Sequence, residues 1–113
     1  MKEKDAIKAL SALAQPTRLA IFRLLVSAGP EGLNVGVIQE QLGLASATLS
    51  FHLKELTHSG LISSRQEGRF VYYAPEIDQM NELVAFLTEN CCQGVPTAAC
   101  KPSKKVKCKP ALA

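Results

Sequence analysis

The stretch Leu42-Gly43-Leu44-Ala45-Ser46-Ala47-Thr48-Leu49-Ser50-Phe51-His52-Leu53-Lys54-Glu55-Leu56 carries the deciding pattern. At about 100° per residue, Leu49, Leu53 and Leu56 share one side of a helix. Ala47, Ser50, Phe51 and Lys54 share the other, with Ser46 at the N-terminal end. The spacing predicts a helix from about Ser46 to His58, closed by Ser59-Gly60 with Gly60 in the left-handed position. Gly43-Leu44 reads as a tight turn, and Asn34 as the N-cap of a short helix before it, Val35 to Leu42. An ordinary amphipathic surface helix would show the same leucine stripe. What favours a major-groove reader is the small, polar character of Ser46, Ala47 and Ser50, which permits close approach to base edges. Phe51 suits a thymine methyl or packing against a neighbour. Lys54 suits a phosphate or plain solvent. His52, close to the leucine side, reads as a hydrogen-bonded, half-buried histidine rather than a ligand.

Upstream, Ile7, Leu10, Leu13 and Ala14 fall at helical spacing and predict a first helix over about 4–14. Pro16 opens a second helix that is apolar almost all round, interrupted by Arg18 and Arg23 and ended before Gly29-Pro30. Gly32 to Asn34 reads as a loop. Downstream, Leu61–Gln66 and Arg69–Tyr73 are β-rich runs about Glu67-Gly68, which predicts a hairpin. Arg65 and Arg69 flank its tip, within reach of phosphates or the minor groove. Pro75 opens a last helix over about 76–91, with Ile77, Met80, Leu83, Val84 and Leu87 on one face.

The expected fold is mainly α with a small β-hairpin, a winged helix-turn-helix in the order α-α-α-α-β-β-α. Residues 1–92 form the expected domain, and 93–113 a flexible tail. The first and last helices each carry an apolar stripe without an evident partner in so small a domain. They are the expected interface of a homodimer, which would read a pseudo-palindromic site.

Length and composition agree. The chain has 113 residues, room for one domain, and only 5% aromatic residues with no Trp, so the core rests on Leu, Ile, Val and Ala. The net charge of +3 is uneven: residues 1–100 hold eight Lys/Arg against ten Asp/Glu, while residues 101–113 hold five Lys and no acid. A nucleic-acid contact on the folded part must therefore be a local patch. The lysine run adds either weak phosphate attraction or only a solvated tail. No apolar run reaches about 18 residues, so no membrane span is expected. The charged start Met1–Asp5 lacks a following apolar segment, so no secretory signal is expected and the cytoplasm is the expected compartment.

The combination Leu42–Leu56, then Ser59-Gly60-Leu61-Ile62, resembles the ArsR/SmtB metal-sensing repressors. So do the opening Leu10-Ser11-Ala12-Leu13-Ala14-Gln15-Pro16-Thr17-Arg18-Leu19 and the wing Arg65-Gln66-Glu67-Gly68-Arg69. The likeness covers about residues 5–92. It implies a homodimer that binds operator DNA and represses until an effector binds, not an enzyme. It places Ser46, Ala47, Ser50, Phe51, Lys54, Arg65 and Arg69 at the DNA. Members often carry Gln, Ser, and His or Arg at the positions of Ser46, Ala47 and Phe51, so the operator sequence stays open. The family's arsenic site in the third helix needs Cys, and Val35–Leu42 has none. Its zinc site on the last helix uses His, and residues 76–90 have none.

What remains is Cys91-Cys92, Cys100 and Cys108. The run Asn90-Cys91-Cys92-Gln93-Gly94 with a later Cys is similar to an arsenic-responsive subgroup with thiolates at the end of the last helix. Trivalent arsenic takes three sulfurs in a pyramid, and soft thiolates select soft centres. The implied effector is arsenite or another trivalent arsenical, held by Cys91, Cys92 and Cys100, with no organic cofactor. A methylated arsenical needs only two sulfurs. Other readings stay open at this point: a thiol redox switch, zinc on four thiolates despite the missing C-x-x-C spacing, a metal buffer, or incidental thiols. Cys108, within the lysine run, is the weakest ligand candidate. A thiol enzyme such as an arsenate reductase would need a phosphate-binding loop beside a Cys, which is missing.

Overall fold

The structure is a computed structural model and describes residues 1–91. Among these residues, five helices and three strands follow in the order α1 (Glu3–Leu13), α2 (Pro16–Ala28), β1 (Leu33–Asn34), α3 (Val35–Leu42), α4 (Ser46–His58), β2 (Ile62–Glu67), β3 (Phe70–Pro75) and α5 (Ile77–Thr88). The helices start and stop where the local chemistry directs. The Gln15 side chain accepts from the Arg18 amide, with Pro16 opening α2. The Asn34 side chain accepts from the Val37 amide at 2.9 Å, making it the N-cap of α3. Gly43, at φ 64°, ends α3 in the left-handed region. After α4, the Gly60 amide donates to the Thr57 carbonyl and the Leu61 amide to the Leu56 carbonyl. That pair of bonds is a Schellman closure, made possible by Gly60 at φ 85°.

The core gathers one face from every helix: Ala6, Ala9 and Ala12 of α1, Ile21, Phe22 and Leu25 of α2, Ile38 of α3, Leu49, Leu53 and Leu56 of α4, and Leu83 of α5, joined by Leu61 and Ile62. Helix α1 turns its alanines inward, which lets it lie close against α2 and α4. Its larger residues face outward: Ile7 is 55% and Leu10 41% exposed.

Two differences from the expected fold have physical causes. The segment read as a loop, Gly32 to Asn34, contains β1, which pairs antiparallel with β3 (Leu33 with Tyr73, Asn34 with Tyr72), so the sheet order is β1-β3-β2. Two residues carry no period-2 signal, and only the approach of β3 supplies their partners. Gly32 makes the approach possible: it sits at φ 80°, and a Cβ there would collide with the Tyr73 carbonyl. Helix α5 stops at Thr88, short of the expected end near 91, with Asn90 at φ 62° just beyond it. Cys91 therefore follows the helix rather than ending it. The expected boundary after residue 92 and the tail 93–113 lie outside the described residues.

Among the described residues no single helix is long and apolar enough to cross a membrane. The bent pair α1 and α2 has the length and apolar content, but much of its apolar surface is committed to the core.

Candidate nucleic-acid interface

Helix α4 divides as its sequence predicts. Leu49, Leu53 and Leu56 are buried, while Ser46, Ala47, Ser50, Phe51 and Lys54 are exposed. Ser46, Ser50 and Lys54 are spaced by four, so they line one strip of the outer surface. The N-cap, Ala45, makes no side-chain cap bond. The first amides of α4 are thus left for solvent or a ligand.

His52 is buried, at 8% exposure. Its Nδ1 lies 3.4 Å from Arg18 Nη1. A guanidinium has only donors, so Nδ1 accepts. Arg18 is itself anchored, its Nε donating to the Ala12 carbonyl at 2.8 Å. The Arg18–His52 contact thereby ties α4 to the junction of α1 and α2. The sequence marked Arg18 as an interruption of an apolar helix and as part of the opening stretch, without pointing to His52 as its partner. Phe51 is 56% exposed, with its ring edge-on to His52 at 5.3 Å between centroids. One edge of the ring thus meets a neighbour, and most of the ring remains open.

The hairpin β2–β3 forms the wing, in register from Ile62 with Pro75 to Glu67 with Phe70. Its two arginines differ. Arg65 pairs with Glu67, donates through Nη1 to the Glu31 carbonyl at 2.8 Å, and lies 4.9 Å from the centre of the Tyr72 ring. Arg65 therefore braces the wing against the α2–β1 loop. Arg69, beside the tip glycine, is exposed and has no hydrogen bond or ion pair to another described residue. Phe70, next to it, is 58% exposed and was not singled out by the sequence, where it reads as an ordinary strand aromatic.

Cys91 is exposed, and its amide donates to the Thr88 carbonyl at 2.9 Å. Cys92, Cys100 and Cys108 lie outside the described residues. Among the described residues, no group of three or more His, Cys, Asp or Glu is placed to hold a metal.

A helix-turn-helix domain family matches residues 13–65, the span from the end of α1 to the wing. The transcriptional activator HlyU of Vibrio cholerae is 32% identical over 94 residues, covering 80% of this chain and 84% of that protein. A solved ArsR family transcriptional regulator, RHA00566, superposes with a TM-score of 0.67 at 28% identity, covering 80% of this chain and 90% of that one. The chain belongs to the ArsR family of transcriptional regulators. The matched helix-turn-helix is a DNA-binding domain, and the relatives are transcriptional regulators rather than enzymes. The chain spans 63% of the length of another relative, the nodulation protein NolR of Rhizobium meliloti, to which it is 34% identical over 80 residues, or 71% of this chain. A structure described as a possible transcriptional regulator for arsenical resistance matches with a TM-score of 0.61 at 31% identity, covering 71% of this chain and 80% of that one. Mb0332 of Mycobacterium bovis, described as a homodimeric winged helix-turn-helix DNA-binding domain, matches with a TM-score of 0.59 at 26% identity, covering 80% and 84%.

Proposed function

We propose that the chain is a homodimeric operator-binding repressor, released when trivalent arsenic binds the thiolates of Cys91, Cys92 and Cys100. The observation that carries the effector assignment is the placement of thiols. All four cysteines of the chain fall at or after residue 91, and Cys91 stands exposed three residues past the end of α5. On this reading a soft centre held by Cys91 takes its remaining sulfurs from Cys92 and Cys100. The likeness to a possible arsenical-resistance regulator supports the choice of arsenic. The cytoplasm suits a DNA-bound sensor whose thiols must stay reduced.

The dimer rests on α1 and α5. Ile7 and Leu10 of α1 and Val84 and Leu87 of α5 are exposed, and the two helices pack side by side. An apolar surface of that kind invites a second copy, and Mb0332 is a homodimer of the same fold. On this reading, Ser46, Ala47, Ser50 and Phe51 meet base edges, Lys54 and Arg69 meet phosphates, and Arg65 holds the wing in place. Residues 93–113 act as a lysine-rich tail that brings Cys100 to the site. Gathering the thiolates pulls on the chain just beyond α5, shifts the dimer helices, and changes the spacing of the two α4 helices. The coupling is reciprocal: operator DNA weakens arsenic binding by the factor with which arsenic weakens DNA binding.

The test is fluorescence anisotropy of the reduced protein on DNA from upstream of its own gene, titrated with arsenite. Expected is tight binding followed by release. The variants Cys91→Ser, Cys92→Ser and Cys100→Ser keep DNA binding and lose release. Release that persists in the triple variant overturns the ligand assignment. Release by oxidant alone replaces arsenic with a redox signal.

A further inference from the structure

A cleft lies between α1 and α4, with no wing residue and not Cys91 in its lining. Its volume is about 320 Å³, and it is lined by Lys8, Ser11, Arg18, Glu55, His58 and Ser59 along with Ala12. That size stands at the low end of the roughly 300–1,000 Å³ of small-ligand pockets. Its polarity is uneven: two permanent cations and an imidazole face one carboxylate. Arg18 is already fixed, with Nε on the Ala12 carbonyl and Nη1 against His52. Two of its five N–H groups are used in this way, and the others have no partner among the described residues. A guanidinium held in place by the fold loses little freedom on meeting an oxyanion. The Ser59 hydroxyl donates to the Leu56 carbonyl at 2.7 Å, so its oxygen can only accept from a ligand. Glu55 also only accepts. The cleft thus asks for an anionic end and a donor end in one small molecule.

We infer that this cleft is an effector site for a small hydroxylated oxyanion, of the phosphate monoester class. The anionic end meets Lys8, Arg18 and His58, and the hydroxyl end meets Glu55 and Ser59. Such a ligand would bridge α1 and α4, the proposed dimer and recognition helices, at a place where it changes their relative setting. Binding here does not depend on the proposed function; its effect on DNA rests on the homodimer and recognition-helix parts of that reading and not on arsenic.

The probe is inorganic phosphate, followed by amide chemical shifts of the full chain at constant ionic strength with chloride as the control. Expected is saturable perturbation of Lys8, Ser11 and Ser59. The double variant K8Q/H58Q weakens phosphate by about fivefold or more, as loss of partly exposed charge contacts allows. Glu55→Gln strengthens it, an opposite change that misfolding does not produce. Non-saturating shifts, or equal shifts with chloride, overturn the site. The phosphate could also be that of the DNA backbone. Displacement of phosphate by a duplex fits either source, because coupling is reciprocal; the discriminating measurement is duplex affinity without phosphate. If K8Q/H58Q lowers that affinity, the cleft is a DNA contact and the effector assignment fails; if it leaves it unchanged, the free-anion reading stands.

Discussion

Single side chains on α4 separate stability from binding. Leu53 is fully packed, and the adjacent Lys54 is exposed. Leu53→Ala removes buried methyl groups and leaves a cavity, an expected loss of about 2–5 kcal/mol in urea denaturation. Lys54→Ala is expected to change stability by less than about 0.5 kcal/mol. It should weaken all duplexes evenly and lower the salt slope of binding by about one. An unchanged slope would remove Lys54 from the phosphate contacts. The leucines were legible in the sequence because burial follows helical spacing. The Arg18–His52 pair was not, because its partners are 34 residues apart and belong to different helices.

At the scale of elements, the wing and β1 act as one unit. Gly32 admits β3 to β1, and Arg65 ties β2 to the Glu31 carbonyl. Gly32→Ala meets both a positive φ and the Tyr73 carbonyl, so it should destabilise by more than the roughly 1 kcal/mol of an ordinary glycine replacement. The measurement is a denaturant midpoint together with faster hydrogen exchange at Tyr72 and Tyr73. Arg65→Ala and Arg69→Ala should differ in kind. The first speeds amide exchange along residues 62–75; the second leaves exchange unchanged and lowers DNA affinity. Identical exchange profiles would return Arg65 to the same role as Arg69. The helix bounds were legible to within three residues because caps and breakers are local. Strand β1 was not, because two residues hold a strand only when a partner arrives.

At the scale of the whole molecule, the exposed faces of α1 and α5 bear on assembly. Ile7→Glu with Leu87→Glu places charges in the proposed seam. Sedimentation equilibrium should show a monomer where the parent chain is a dimer, and affinity for a two-half-site operator should fall by far more than affinity for a half-site. A parent chain that sediments as a monomer at micromolar concentration would overturn the dimer. Thermal stability should also rise with concentration for the parent and not for the variant, since a dimer is stabilised by mass action.

The sequence by itself determined the elements that local physics governs: helix starts at Pro16 and Asn34, stops at Gly43 and Gly60, the two-faced α4 and the hairpin turn. It also determined the family, because the α4 and wing pattern is carried in one continuous stretch. Only the tertiary structure decided which face of α1 is inside. The stripe of Ile7 and Leu10 was legible as a face without a partner in the domain, but no local pattern marked Ala6, Ala9 and Ala12 as the residues that close helix packing admits to the core. It also decided that Arg65 braces while Arg69 projects, and that Lys8, Arg18 and His58 share a cleft. These depend on contacts between residues far apart in the chain, and no local pattern records which of them will meet.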